Sequence, residues 1–200
     1  MKQLLIATNN QGKIAEFQAL LANLDLELLR PAQIGLALEV VEDGVTYAEN
    51  ATKKAVAFAA ASGLVSLADD SGLEVEALGG APGLYSARYS PQPGATDRDR
   101  YLYLLQNLSS QPRPWSARFR ATLAIAKPQG EVYLAEGACL GEIISEARGS
   151  GGFGYDPIFL LPELGRTMAE LTSDEKNRLS HRARAVQAAK HILRQIFEVG

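Results

Sequence analysis

Apolar residues recur along this chain with two periods, and the switches between them mark the elements. Residues 3–7 read as a strand that ends at the polar turn Thr8-Asn9-Asn10-Gln11-Gly12. Ile14, Phe17, Leu20, Leu21 and Leu24 then fall at three-and-four spacing, the pattern of a helix with one apolar face. Leu26-Glu27-Leu28-Leu29 alternates as a second strand and is stopped by Pro31. Strand, loop, helix, strand is the opening of an α/β protein. Thr46 and Glu49 form a capping box for a second helix, whose Ala-rich run reaches Ala61 and ends at Gly63. A short apolar run, Leu64-Val65-Ser66-Leu67-Ala68, reads as a buried strand ending in Asp69-Asp70. Asp is disfavoured in strands and Ser71-Gly72 signals a turn, so both carboxylates are expected where a strand leaves the core.

Past that turn, Leu73-Glu74-Val75-Glu76-Ala77 alternates as a further strand, and the loop Gly79–Gly83 leads to Tyr85-Ser86-Ala87-Arg88-Tyr89. Thr96 caps a helix carrying Tyr101, Leu104, Leu105 and Leu108. From 117 to 125 a strand puts Ala117, Phe119, Ala121, Leu123 and Ile125 on one face and Arg118, Arg120 and Thr122 on the other. Residues 131–136 and 140–145 are expected to pair with it as a meander around Gly137. A glycine-dense loop, 149–157, precedes a short strand, 158–161, and Thr172 with Glu175 opens a helix predicted to run to about Val199. No repeat or low-complexity segment interrupts the pattern. Residues 1–200 are expected to form a single domain of two lobes.

Composition narrows the classes. At 46% hydrophobic and 22% charged residues the chain is an ordinary globular one, and a net charge of −3 gives a nucleic-acid polymer no electrostatic footing. No apolar run is long enough to cross a bilayer, so no membrane partner is expected. The run Leu4–Ala7 after Lys2 is too short for a signal peptide, and the single Cys139 excludes an internal disulfide; both fit a cytoplasmic protein. His181 and His191 are too few and too far apart to suggest zinc.

Three groups can carry chemistry. Thr8 to Lys13 joins a strand to a helix, where free backbone amides and a lysine favour an anion; a plain Asn-rich turn has the same letters. Glu42, Asp69 and Asp70 can converge on magnesium, which needs one or two carboxylates beside substrate phosphates, or they can be solvated acidic turns. Lys53, Arg88, Lys176 and Arg182 are a scattered basic set, each by itself compatible with a surface role. Gly149-x-Gly151-x-x-Gly154 matches the dinucleotide fingerprint by letter, but Asp156-Pro157 and a strand follow where a helix is required, so that reading is rejected. What remains is a loop presenting Phe153, whose ring can stack on a purine or belong to the core.

Taken in order, four motifs resemble the inosine triphosphate pyrophosphatase family. They are Thr8-x-Asn10-x-x-Lys13, Ala68-Asp69-Asp70-Ser71-Gly72, Gly152-Phe153-Gly154-Tyr155-Asp156-Pro157 and Ser180-His181-Arg182. Gly44-x-Thr46-x-x-x-Asn50-Ala51 and the stretch from Gly79 to Arg88 support them. The resemblance implies an elongated mixed β-sheet with flanking helices, two lobes around a central cleft, and a homodimer. It implies magnesium-dependent cleavage of non-standard purine triphosphates (ITP, dITP, XTP) between the α and β phosphates. By position, Asp70 is the expected proton acceptor and a metal ligand, with Glu42 and Asp69 as further metal or water partners. Thr8, Asn9, Asn10, Gln11, Gly12, Lys13, Lys53 and Ser71 are expected on the phosphates. Phe153, Gly154, Tyr155, Asp156, Lys176, His181 and Arg182 are expected at the purine. A related enzyme for modified pyrimidine triphosphates and a non-catalytic nucleotide-binding module are the competing readings.

Overall fold

A computed structural model describes residues 2–198. Seven strands form one mixed sheet in the order β2-β1-β3-β4-β5-β6-β7, with helices packed on it. In chain order the elements are β1 (Lys2–Ile6), α1 (Gln11–Leu21), β2 (Leu26–Leu29), α2 (Tyr47–Ser62), β3 (Val65–Val75) and α3 (Asp97–Leu108). There follow β4 (Trp115–Ala126), β5 (Val132–Ile143), β6 (Phe159–Leu161), β7 (Arg166–Thr167), α4 (Ser173–Leu179) and α5 (His181–Phe197). β1 pairs in parallel with both β2 and β3, whereas β6 is antiparallel to β5 and β7. The chain divides into two compact units, and the long strands β3, β4 and β5 each contribute residues to both.

The first unit comprises the chain up to Asp70, Ala121–Gly137 and the residues from His181 on. Its strands are apolar on both faces because both faces are covered. Leu4, Ile6, Leu67, Leu123 and Ile125 face α1 and α5, where Phe17, Leu21, Val186 and Leu193 complete a core. The alternate positions Leu5, Ala7, Ala68, Ala124 and Ala126 meet Ala51, Ala55, Phe58 and Ala59 of α2. Small residues on both sides let that helix lie close, and each fully buried leucine-sized side chain adds about 1.5–3 kcal/mol. Gly137 of β5 fills a tight spot, since a Cβ there would lie 2.2 Å from the His181 carbonyl oxygen and 2.3 Å from the Ala185 nitrogen. The first turn of α5 therefore rests directly on the strand backbone.

The second unit comprises Ser71–Arg120 and Ala138–Ser180. Leu73, Val75, Trp115, Phe119 and Ile143 from the strands and Leu104 and Leu108 from α3 form its core, closed by Ile158, Phe159 and Met168. On the opposite edge of the alternation, Arg118 pairs with Glu74 at 2.5 Å.

Several sequence expectations need correction. β3 does not turn at Ser71-Gly72 but runs unbroken from Val65 to Val75. Tertiary pairing overrides the low strand propensity of Asp-Asp-Ser-Gly, and the buried carboxylates find partners on neighbouring helices. β5 is likewise one strand through Gly137 rather than two around it. The last predicted helix is two, because Ser180 is extended with ψ 158° between α4 and α5; the expected end near Val199 lies outside the described residues.

Candidate active site

The alternation of β3 separates the two carboxylates. Successive strand residues point to opposite faces, so Asp69 lies on the side of α1 and α5 and Asp70 on the side of α2. Asp69 meets Lys13 of α1 at 2.9 Å, and its Oδ2 accepts from Arg182 Nη2 at 2.9 Å and Nε at 3.2 Å. Arg182 also pairs with Glu16. Burial by itself would raise the Asp69 carboxyl, but Arg182 and Lys13 outweigh it and hold the group well below the usual carboxylate range. Conversely, burial lowers Lys13 more than Asp69 restores it. Arg182, also buried, is kept firmly cationic by Asp69 and Glu16.

Asp70 has a different environment. Its Oδ2 accepts from Asn50 Nδ2 at 3.0 Å, and the Asn50 Oδ1 accepts from the Gly44 backbone N–H at 2.8 Å. That second bond fixes which end of the amide faces Asp70. Gly44 has no room for a side chain, since a Cβ would lie 2.6 Å from Asn50 Oδ1. Lys54, one helical turn beyond Asn50, donates to the Asp69 carbonyl oxygen at 2.8 Å and pairs with Glu42 at 2.6 Å. Burial raises the Asp70 carboxyl, Lys54 and Asn50 oppose that, and Glu42 adds to the rise; the net shift is upward. A raised carboxylate beside a second one is suited to taking a proton or to sharing a cation.

Among the described residues no three His, Cys, Asp or Glu side chains gather as a metal cage. Magnesium needs only one or two carboxylates when substrate phosphates and water complete its shell. Asp70 and Glu42 fit that role, both being hard oxygen donors whose mutual repulsion a cation would relieve. Asp69 is engaged by two cations instead.

The polar turn before α1 caps that helix. Asn10 is the N-cap, its Oδ1 accepting from Lys13 N at 3.0 Å, while Thr8 Oγ1 accepts from Asn10 N at 3.2 Å. Asn9, Asn10 and Gln11 are exposed and Thr8, Gly12 and Lys13 half-buried. Ser71 is half-buried in β3, directly after Asp70. Lys53 lies elsewhere: it pairs with exposed Asp43 at 2.5 Å, and Lys54 occupies the position beside the carboxylates. Helical phase carries that signal, since Asn50 and Lys54 are four apart and share a face.

In the second unit, the loop Phe153–Asp156 is tied down by side chains. Asp156 Oδ2 accepts from Phe153 N at 2.9 Å and from Lys176 Nζ at 2.6 Å, and Lys176 lies 4.9 Å from the Phe153 ring centroid. The Tyr155 hydroxyl donates to the Ser86 carbonyl at 2.8 Å, and burial pushes its phenol up. Gly152, at φ 72°, admits no Cβ, which would fall 2.0 Å from Asp156 Oδ2. The preceding glycines serve packing: Gly151 N donates to the Ala169 carbonyl at 3.0 Å, and a Cβ on Gly149 would meet that carbonyl at 2.5 Å. A short 3-10 turn, Asp156–Ile158, follows the loop, with no helix of the dinucleotide type. His181 is buried in the first turn of α5, beside Arg182 in the first unit.

Comparison with known proteins identifies the family. The family model described as the Ham1 family matches residues 4–192. A dITP/XTP pyrophosphatase of Desulforamulus reducens is 45% identical, covering 98% of this chain and 97% of its own. One from a Nostoc species is 50% identical over 94% and 92% of the two chains. Among solved structures, a HAM1 protein from Coxiella burnetii superposes with a TM-score of 0.88 at 38% identity, covering 98% of this chain and 100% of its own. The Staphylococcus aureus Ham1 protein gives 0.86 at 37%, with the same coverage. With these matches along nearly its whole length, the chain belongs to the Ham1 family.

Proposed function

We propose that this protein hydrolyses non-standard purine nucleoside triphosphates, ITP, dITP and XTP, to the monophosphate and pyrophosphate. The observation that carries the reading is Asp70: a buried carboxylate with raised proton affinity, oriented by Asn50 and flanked by Lys54 and Glu42. Its family relatives bear the name dITP/XTP pyrophosphatase.

In this reading Asp70 and the polar groups around it perform the phosphate chemistry. The start of α1 with Lys13, the Ser71 hydroxyl and Lys54 bind the triphosphate, and Asp70 takes a proton from the attacking water. Asp70 and Glu42 would hold magnesium, which when bound would offset phosphate charge. Lys54 replaces Lys53 as the phosphate-side lysine, and Asp69 anchors Lys13 and Arg182 rather than a metal. Base recognition would fall to Phe153, Asp156 and Lys176. A donor such as Lys176 rewards the C6 oxygen of hypoxanthine or xanthine, where adenine presents an amino group instead of an acceptor, a difference worth up to ~10⁴ in selectivity. His181 and Arg182, expected at the purine, lie buried in the first unit, where Arg182 braces Asp69. A homodimer acting in the cytoplasm completes the proposal.

The test is pyrophosphate release from inosine, xanthosine, guanosine, adenosine and methylated pyrimidine triphosphates, with and without magnesium. Preference for the first two, with magnesium required, is expected. Binding without release would remove the enzymatic reading, and preference for a pyrimidine would remove the substrate.

A further inference from the structure

α3 begins with more carboxylate than its cap requires. Thr96 and Asp99 already form a reciprocal capping box, with Asp99 Oδ2 accepting from Thr96 N at 2.8 Å and Thr96 Oγ1 accepting from Asp99 N at 3.3 Å. Asp97, the first helical residue, turns its side chain elsewhere: Oδ2 accepts from the Gly154 backbone N–H at 2.7 Å. Its other oxygen, Oδ1, accepts from Arg100 Nη1 at 2.5 Å, and Arg100 Nη2 is anchored on the Ala95 carbonyl at 2.8 Å. The carboxylate is thus aimed by a braced arginine at one amide of the loop that carries Phe153.

Gly154 has φ 64°, a left-handed conformation, and a Cβ there would touch nothing within 4 Å. No side-chain crowding sets that peptide's orientation; the Asp97 bond to its N–H and the Asp156 N–H bond to its Phe153 carbonyl at 3.3 Å do. We infer that Asp97 is a positioning residue for base recognition: it holds the Gly154 peptide so that the Phe153 ring and the Asp156–Lys176 pair keep the pose that selects the purine. The inference rests on the reading of Phe153–Asp156 as the base-binding loop.

The experiment compares Asp97→Ala, Asp97→Asn and Phe153→Ala in the full-length protein. It measures KM and kcat for inosine triphosphate, the inhibition constant of inorganic tripolyphosphate as a probe without a base, and the melting temperature. Asp97→Ala is expected to raise KM about 3–10-fold, short of the full effect of a charge-assisted hydrogen bond because the carboxylate is 46% exposed. The tripolyphosphate constant stays within about twofold, the ordinary spread of a remote surface change. Asp97→Asn keeps an oxygen that can accept from Gly154, so it retains most of the wild-type KM. Both variants lose the Arg100 pair and the charge at the helix start, so they lose similar thermal stability. A purely structural role would instead give Asn and Ala the same KM, or move the tripolyphosphate constant in parallel, and either overturns the inference. If Phe153→Ala raises KM while Asp97→Ala does not, the inference fails and the base loop stands. If Phe153→Ala leaves KM unchanged, the loop's role fails and the inference with it.

Discussion

Asp69→Asn is the sharpest probe of how the site is held. The substitution keeps shape and one acceptor oxygen but removes the charge facing Lys13 at 2.9 Å and Arg182 at 2.9 Å. The Arg182 side chain is 1% exposed and that of Asp69 0%, so water cannot replace what is lost. Breaking a buried pair by deleting one partner costs about 3–5 kcal/mol. Arg182 keeps Glu16 and Lys13 is 17% exposed, which places the loss near the low end, about 3 kcal/mol. For a chain of this length that corresponds to a melting point lower by about 6–12 °C. Calorimetry at neutral pH measures it, and the pH series adds a sign. Because the folded Asp69 sits below its unfolded value, its stabilisation is fully present above about pH 4 and is lost as pH falls toward the folded value. The gap between wild type and variant should therefore close on acidification. A loss under about 1 kcal/mol, the worth of an exposed pair, or a gap that widens in acid, would refute the reasoning.

Asp70→Asn should do the opposite. Turnover falls by about 10²–10⁴, the worth of a general base, while the melting point stays level or rises, because burial and Glu42 disfavour the ionised carboxylate where it sits. A melting point several degrees lower would show that the charge is stabilised in place. Lys54→Met should cut kcat/KM by about 10²-fold, as loss of a preorganised donor does. Lys53→Met should stay within about threefold, since its exposed pair with Asp43 is worth at most about 1 kcal/mol; equal losses in the two variants would refute the assignment.

How far these features can be read from the letters depends on how local their causes are. The caps Thr46, Thr96 and Thr172 lie where the spacing puts them, because a capping residue and its partner are three positions apart. The first helix and the α/β opening are legible for the same reason. β3 is not, because the groups that make Asp69 and Asp70 tolerable in a strand lie 113 and 20 residues away, on α5 and α2. Gly137 reads as punctuation in the sequence, yet its role is to be thin beneath α5. Lys54 was legible in principle from its helical phase with Asn50, whereas proximity to the cap favoured neither lysine. Asp97 was hidden behind the capping box that explains its neighbours, and only the bond to Gly154 distinguishes it.

The alternation along β3 also sets how this gene can tolerate a change in length. The strand's start is held by pairing of Val65, Ser66 and Leu67 with Leu4, Leu5 and Ile6, so a codon lost or gained just after it shifts every later residue to the other face. One codon lost puts Asp70 where Asp69 was, facing Lys13 and Arg182, and Ser71 where Asp70 was. A counter-charge for Lys13 and Arg182 survives, but Asp69 then enters the apolar place of Ala68 beside α2. One codon gained puts Asp69 in the place of Asp70 and Ala68 against Arg182. A carboxylate remains beside Asn50, but a buried guanidinium loses a main counter-charge. Two adjacent aspartates thus keep a carboxylate facing Lys13 and Arg182 after a one-codon deletion but not after an insertion, while either change carries Leu73 and Val75 off the core face.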